Sequence, residues 1–192
     1  MLLATGCLGT GPAAQQGGPA NELEKRFNEN PNDAKTNLQL GEASEQQGDL
    51  LRAEQYYVRA EALGYSADEI IPRILRVLVM AKRYEEALNR CRERLARVPT
   101  DRGTRFLFAA LLQGRERNDL AESELKLLLS SDDKDAPAHL AIGRLYRDHY
   151  KDPHRALPHL KKYLELSPTS PSAAGVRYEL AELEAQNPES IK

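Results

Sequence analysis

Residues 37–65, NLQLGEASEQQGDLLRAEQYYVRAEALGY, and residues 105–133, RFLFAALLQGRERNDLAESELKLLLSSDD, place side chains of similar size at matching positions. In both stretches an apolar segment leads through a polar break to an alanine, Ala53 in the first and Ala121 in the second. The alanine is followed by large apolar residues and then a polar end. This shared order indicates that the chain repeats one structural unit.

Two further stretches extend the period over most of the chain. They are residues 71–99, IPRILRVLVMAKRYEEALNRCRERLARVP, and residues 139–168, HLAIGRLYRDHYKDPHRALPHLKKYLELSP. Their alanines, Ala87 and Ala156, continue the series in steps of 34, 34 and 35 residues, with the extra residue in the loop HYKDP. Periods of this length are typical of solenoids, in which each unit buries its apolar face against its neighbours.

Each unit contains two segments of helical periodicity, about 13 to 15 residues long, separated by a polar break. Small residues recur where two helices must approach closely, because a larger side chain would force the helices apart. These residues are Gly41, Ala53, Ala87, Ala109, Ala121, Gly143 and Ala156. The pattern therefore predicts an all-α chain of paired helices.

A period of large and small residues, then alanine, an aromatic or aliphatic residue, another small residue and proline resembles the tetratricopeptide repeat (TPR). The resemblance covers residues 32–169. It implies an all-α, right-handed superhelical solenoid of about four TPR helix pairs with flanking helices. The expected repeats are about 34–67, 68–101, 102–135 and 136–170.

Flanking helices are expected on both sides of the repeats, within an array assigned to residues 21–192. The stretch NELEKRFNENPND reads as the second helix of a half unit. Residues 172–186 read as a capping helix whose Val176, Leu180 and Leu183 close the stack. Its opposite, polar face holds Arg177, Glu179, Glu182 and Glu184.

Local signals mark where individual helices begin. Ser66 and Glu69 have the spacing of a capping box, and Asp152 followed by Pro153 reads as an N-cap with proline in the first turn. Two prolines lie deeper in their helices and are expected to bend them without breaking them, Pro72 and Pro158.

Composition excludes several classes of function. Lys and Arg total 27 against 29 Asp and Glu, a net charge of −2, whereas nucleic-acid binding needs a surplus of cations. No apolar run approaches the roughly 20 residues that span a bilayer. The two cysteines, Cys7 and Cys91, have no spacing that suggests a disulfide or metal framework. Cys91 lies on an apolar helical stripe and is expected to be a small buried residue.

The sequence shows no persuasive catalytic, metal or cofactor site. The histidines are His139, His149, His154 and His159, and the last two are five residues apart, so their imidazoles do not share a helix face. We therefore expect loop and surface histidines. No glycine-rich phosphate loop or nucleophile elbow is present. The chain is expected to be no enzyme, with no catalytic residues, metal, cofactor or small-molecule substrate.

Resemblance to the tetratricopeptide family places the binding surface on the concave face, lined by the first helix of each pair. The residues expected there are Leu38, Glu42, Arg73, Arg76, Met80, Phe106, Ala110, Leu140, Arg144 and Arg147. Chaperone-tail clamps of this family carry lysine and asparagine where this chain has Leu38 and Glu42, which argues against that activity. Apolar residues mixed with arginines suit an extended or helical partner segment with apolar and acidic side chains.

Residues 1–20 read as a lipobox-like N-terminus and a disordered tether. Leu3-Ala-Thr-Gly-Cys7 resembles the end of a bacterial lipoprotein signal, in which the cysteine is lipidated. The leucine stands one place further from the cysteine than is usual, and no basic start or long apolar region precedes it. The Gly, Pro, Ala and Gln that follow favour a flexible tether.

These features together favour a bacterial, membrane-anchored TPR lipoprotein of the outer membrane, on its periplasmic face. It would be a non-catalytic scaffold or assembly factor of a cell-envelope machine, of the pilus and secretin type or the gliding-motility type. The alternative is a cytosolic TPR adaptor or co-chaperone without lipid. Its partner is expected to be a protein, with no nucleic acid, and its contact with the membrane would be the lipid on Cys7.

Overall fold

The computed structural model describes residues 19–186, which form ten α-helices joined by short turns. In chain order these are α1 (Pro19–Glu29), α2 (Ala34–Gln46), α3 (Leu50–Ala62), α4 (Ala67–Met80), α5 (Tyr84–Arg97), α6 (Arg102–Gly114), α7 (Asn118–Ser131), α8 (Ala136–Asp148), α9 (Pro153–Leu166) and α10 (Ala173–Gln186). Cys7 and the predicted tether up to residue 18 lie outside the described residues.

The chain divides into two compact units, the first ending at Ala81 and the second beginning at Lys82. In the first unit, α1 packs on α2, α2 on α3 and α3 on α4. In the second, each helix from α5 to α10 packs on the next one along the chain. This sequential packing confirms the predicted all-α, tetratricopeptide-like fold.

The predicted small residues are all buried, and the two glycines among them lie at the closest helix contacts. A Cβ atom built on Gly41 of α2 would lie 2.5 Å from the ring of Tyr57 of α3. A Cβ on Gly143 of α8 would lie 2.9 Å from Cδ2 of Leu160 of α9. Each pair of helices therefore approaches to a distance that only a residue without a side chain permits.

Aspartates begin five of the helices. Asp33, Asp49, Asp101, Asp135 and Asp152 each accept a hydrogen bond from the backbone N–H three residues later. These bonds satisfy donors that the first turn of a helix leaves unpaired. The N-cap predicted at Asp152 is confirmed.

The capping box predicted at the start of α4 does not form. The Ser66 side chain makes no capping bond, and the backbone carbonyl of Ser66 accepts the N–H of Glu69 at 3.1 Å instead. The Glu69 carboxylate accepts a bond from the Tyr65 hydroxyl. Neither Ser66 nor Glu69 therefore makes the side-chain bond that a capping box requires.

Pro72 and Pro158 lie inside α4 and α9, and both helices continue through them as predicted.

Cys91 is fully buried in α5, also as predicted. Burial, with a smaller contribution from Asp101, raises the pKa of its thiol to about 12. The thiol is therefore protonated at neutral pH.

The C-terminal helix closes the second unit, with Val176 and Leu183 buried and Leu180 half-buried. The polar face predicted for this helix also contacts the helices before it. Glu179 pairs with arginines of α8, and Glu184 pairs with Lys161 of α9 at 2.8 Å. Ion pairs, as well as apolar contacts, therefore hold α10 in place.

The turn between the two helices of each pair contains one residue in the left-handed region. In the first pair this residue is Gly48, with φ of 78°. The equivalent positions of the next three pairs hold Lys82, Glu116 and Lys151, with φ of 59°, 59° and 52°. The four turns thus each have a positive φ at this position, although only the first has glycine there. Within residues 19–186, no helix has the length and apolar character needed to span a bilayer.

We expect replacement of Gly41 by alanine to lower the free energy of unfolding by about 1 to 3 kcal/mol, because the new methyl group overlaps a buried ring. Urea unfolding measures the effect. Gly175→Ala is the matched control, since Gly175 is a helical glycine with no atom within 4 Å of its built Cβ. That variant should be as stable as the wild type or up to about 1 kcal/mol more stable. Equal effects at the two positions would contradict the close contact.

Candidate functional site

Two open clefts lie between helices that are two places apart in the chain. The first, here the α2/α4 cleft, belongs to the first unit and has a volume of about 600 Å³. It is lined by Glu42, Glu45, Gln46, Pro72, Arg73, Arg76 and Met80. Four of the predicted groove residues are therefore brought together here.

Arginine–glutamate pairs form the charged wall of the α2/α4 cleft. Arg76 donates two hydrogen bonds to Glu45, at 2.6 and 2.7 Å, and Arg73 lies 3.3 Å from Glu42. Met80, at the end of α4, is 52% exposed and carries no charge. The cleft therefore offers an exposed apolar side chain beside charges that are already neutralised.

Glu45 is the central acceptor of this wall. Besides Arg76, the buried Tyr57 donates its hydroxyl to Glu45 at 2.7 Å. The bonds from Arg76, and then the bond from Tyr57, hold the pKa of the Glu45 carboxyl below its ordinary value against the opposing effect of burial. Burial first, and the bond to Glu45 second, raise the pKa of Tyr57. Glu45 is thus ionised at neutral pH and connects α2, α3 and α4.

The second cleft, here the α8/α10 cleft, lies in the second unit and has a volume of about 690 Å³. It is lined by Arg147, Asp148, Lys151, Pro153, Tyr178, Glu179, Glu182, Leu183 and Gln186. Arg144 donates to Glu179 at 2.8 and 3.2 Å, and Arg147 pairs with both Glu179 and Asp148. Tyr178 is 73% exposed on α10.

The two clefts share one arrangement of charge. In or beside each, two arginines three residues apart share one side of a helix, and the next helix but one carries two glutamates three residues apart. Glu42 and Glu45 each pair with one arginine, whereas both arginines of α8 pair with Glu179. The arginine pairs are Arg73 with Arg76 and Arg144 with Arg147, and the glutamate pairs are Glu42 with Glu45 and Glu179 with Glu182. An exposed apolar side chain, Met80 or Tyr178, adjoins each set.

The other predicted groove residues lie elsewhere. Leu38 is only 6% exposed, so its side chain belongs to the core of the first unit. Phe106 and Leu140 are half-buried, and Ala110 is exposed; none of them lines either cleft. Tyr178 was not predicted, although its place on the final helix with the glutamates is a sequence signal for it.

Two of the histidines form a close pair, which corrects the expectation that all four lie in loops or at the surface. Nδ1 of His139 in α8 lies 2.9 Å from Nδ1 of the half-buried His159 in α9. Burial first, then the charges of His139 and Lys126, lower the pKa of His159 to about 4. The two residues are 20 positions apart and on different helices, so the sequence alone does not predict this contact.

No group of three or more metal-binding side chains occurs in residues 19–186.

Comparison with known proteins establishes the fold through solved structures alone. No protein-family model and no curated protein matches the sequence. YrrB, a TPR protein with an unusual peptide-binding site, is 20% identical, with a TM-score of 0.65 over 83% of this chain and 85% of that chain.

Two further solved structures match with similarly low sequence identity. A tetratricopeptide repeat protein from Parabacteroides merdae ATCC 43184 is 17% identical, with a TM-score of 0.72 over 88% of this chain and 67% of that chain. MamA from Desulfovibrio magneticus RS-1 is 23% identical, with a TM-score of 0.63 over 78% of this chain and 84% of that chain. The chain therefore shares the tetratricopeptide fold with these proteins.

We expect Glu45→Gln to lower the free energy of unfolding by about 1 to 2 kcal/mol at pH 7, because three donors lose a charged acceptor. The folded-state pKa of Glu45 is depressed, so this stability is present above the unfolded-state pKa and is lost as the pH falls. The difference between variant and wild type should therefore shrink between pH 7 and pH 3 in urea unfolding. Glu29→Gln is the control, since among the described residues its carboxylate makes one exposed pair, with Lys25 at 4.0 Å, and the change should cost little at either pH.

Proposed function

We propose that the protein is a non-catalytic scaffold that holds segments of a partner protein in the α2/α4 and α8/α10 clefts. The observation that carries this proposal is an exposed apolar side chain, Met80 or Tyr178, in each of two open clefts. Exposed apolar side chains beside paired charges are typical of protein contact surfaces. YrrB, which shares the fold, has a peptide-binding site.

The ion pairs within the clefts define the partner's anchors. An acidic side chain that approached Arg76 or Arg144 would have to compete with Glu45 or Glu179, which hold these arginines with two bonds each. An apolar side chain packs on Met80 or Tyr178 without breaking a bond. The partner segment is therefore extended or helical, anchored by apolar residues, and its acidic residues meet the arginines only at the rim of each cleft.

Replacement of Met80 and Tyr178 together by glutamine should weaken partner binding about tenfold or more, because each anchor loses apolar contact area. Both side chains are exposed, so the melting temperature should stay close to that of the wild type. The matched control is Leu51→Gln, since Leu51 is 63% exposed on α3 and lines neither cleft. Each variant is immobilised and exposed to the same cell extract. The retained protein is then titrated against each variant to measure its affinity. Retention at wild-type level by the double variant would exclude the clefts.

We propose further that the scaffold is anchored to the bacterial outer membrane, on its periplasmic face, by a lipid on Cys7. The support is the sequence Leu3-Ala-Thr-Gly-Cys7 and the Gly, Pro, Ala and Gln after it, which suit a tether between a lipid and a folded domain. The scaffold would then serve an envelope machine of the pilus and secretin type or the gliding-motility type. A cytosolic adaptor or co-chaperone is the alternative.

The intact mass of the natively expressed protein tests this anchor. We expect cleavage before Cys7 and the added mass of two or three acyl chains in the membrane fraction. Cys7→Ser should remove that mass and move the protein to the soluble fraction. Cys91→Ser is the control, because its thiol is buried in α5 and should not affect lipidation. An unmodified wild-type chain in the soluble fraction would favour the cytosolic alternative.

A further inference from the structure

The contact between His139 and His159 lies beside a close approach of α8 to α9 at Gly143. Cβ of His159 would be 3.3 Å from a Cβ built on Gly143, and the neighbouring Leu160 is closer still. The two imidazole centroids are 5.1 Å apart, and the nitrogens between them are 2.9 Å apart, so the nitrogens meet nearly head to head. A change in this contact therefore acts on the tightest part of the helix pair.

The proton positions of the pair follow from its outer partner. Nε2 of His139 lies 2.9 Å from the backbone carbonyl oxygen of Asp133, and since a carbonyl only accepts, this nitrogen carries a hydrogen. Neutral His139 therefore turns the lone pair of Nδ1 toward His159, which donates its own Nδ1–H. The contact tolerates one added proton, because Nδ1–H of a charged His139 can donate to the Nδ1 lone pair of a neutral His159. A second added proton would place two N–H groups head to head.

The groups around His159 do not offset a second positive charge. From α7 comes Lys126, which lies 2.7 Å from Glu122, and from α8 come His139 and Tyr146, whose hydroxyl also binds Glu122. On α9 itself Arg155 lies over the Tyr146 ring, and Lys161 pairs with Glu184 of α10. Asp135 at the start of α8 interacts with His139 and is bound to Arg102. The carboxylates of Glu122, Asp135 and Glu184 are thus each engaged by a cation.

We propose that the His139–His159 pair is a pH-sensitive latch that holds α8 against α9 and opens when both imidazoles become protonated. The latch is independent of the proposed function. The folded protein keeps His159 neutral down to about pH 4, whereas the unfolded chain binds that proton near pH 6.5. Stability is therefore present at neutral pH and decreases as the pH falls from about 6.5 to about 4.

Amide hydrogen exchange in α8 and α9, at pH 7.5, 6.0 and 4.5 and corrected for intrinsic rates, tests the latch. In the wild type the equilibrium constant for opening should rise by up to about tenfold per pH unit within this window. His159→Asn should remove that rise, because the asparagine amide can donate near the position of Nδ1 and does not titrate. His154→Asn, an exposed histidine of the same helix, is the matched control and should keep the wild-type profile.

Two results would overturn the latch. One is a His159→Asn profile equal to that of the wild type. The other is titration of the wild-type His159 ring near pH 6.5, followed by NMR. The NMR titration also decides the question if the variant does not fold, because it uses the unaltered protein.

Discussion

The close approach of α2 to α3 and of α8 to α9 is the constraint on which the structure depends. Gly41 lies against the ring of Tyr57, and Gly143 lies against Leu160. Because a Cβ at either glycine would overlap its neighbour, the helix spacing is set by a missing side chain and not by a particular attraction. The hydroxyl of Tyr57 can reach Glu45, and so the polar network of the α2/α4 cleft depends on this apolar contact.

Charged residues connect helices that are not neighbours in sequence. Arg76 reaches Glu45 across 31 residues, Arg102 reaches Asp135 across 33, and Arg144 reaches Glu179 across 35. These separations are close to one period of the repeat. Each ion pair therefore spans about one repeat and adds a contact beyond those between helices adjacent in the chain.

The fold could be predicted from the sequence because small residues at a fixed period leave few alternatives to paired helices. Ala53, Ala87, Ala121 and Ala156 are all fully buried. The candidate site could be predicted only in part. Met80 and the arginines follow from the resemblance to the tetratricopeptide repeat, but their partners do not, since a glutamate bound to arginine and a glutamate in solvent look alike in sequence. The same resemblance predicts Leu38 at the concave surface, although packing buries it.

The turns show that a position with positive φ can hold different side chains. Gly48 adopts a positive φ at little cost, whereas Lys82, Glu116 and Lys151 each hold it at a cost of roughly 1 kcal/mol. The same repeat thus contains three turns that are strained relative to the first, and this chain is not the most stable sequence that its own backbone admits. Glycine at any of these three positions would relieve the strain, and the stability gained there could offset a destabilising change elsewhere in the array.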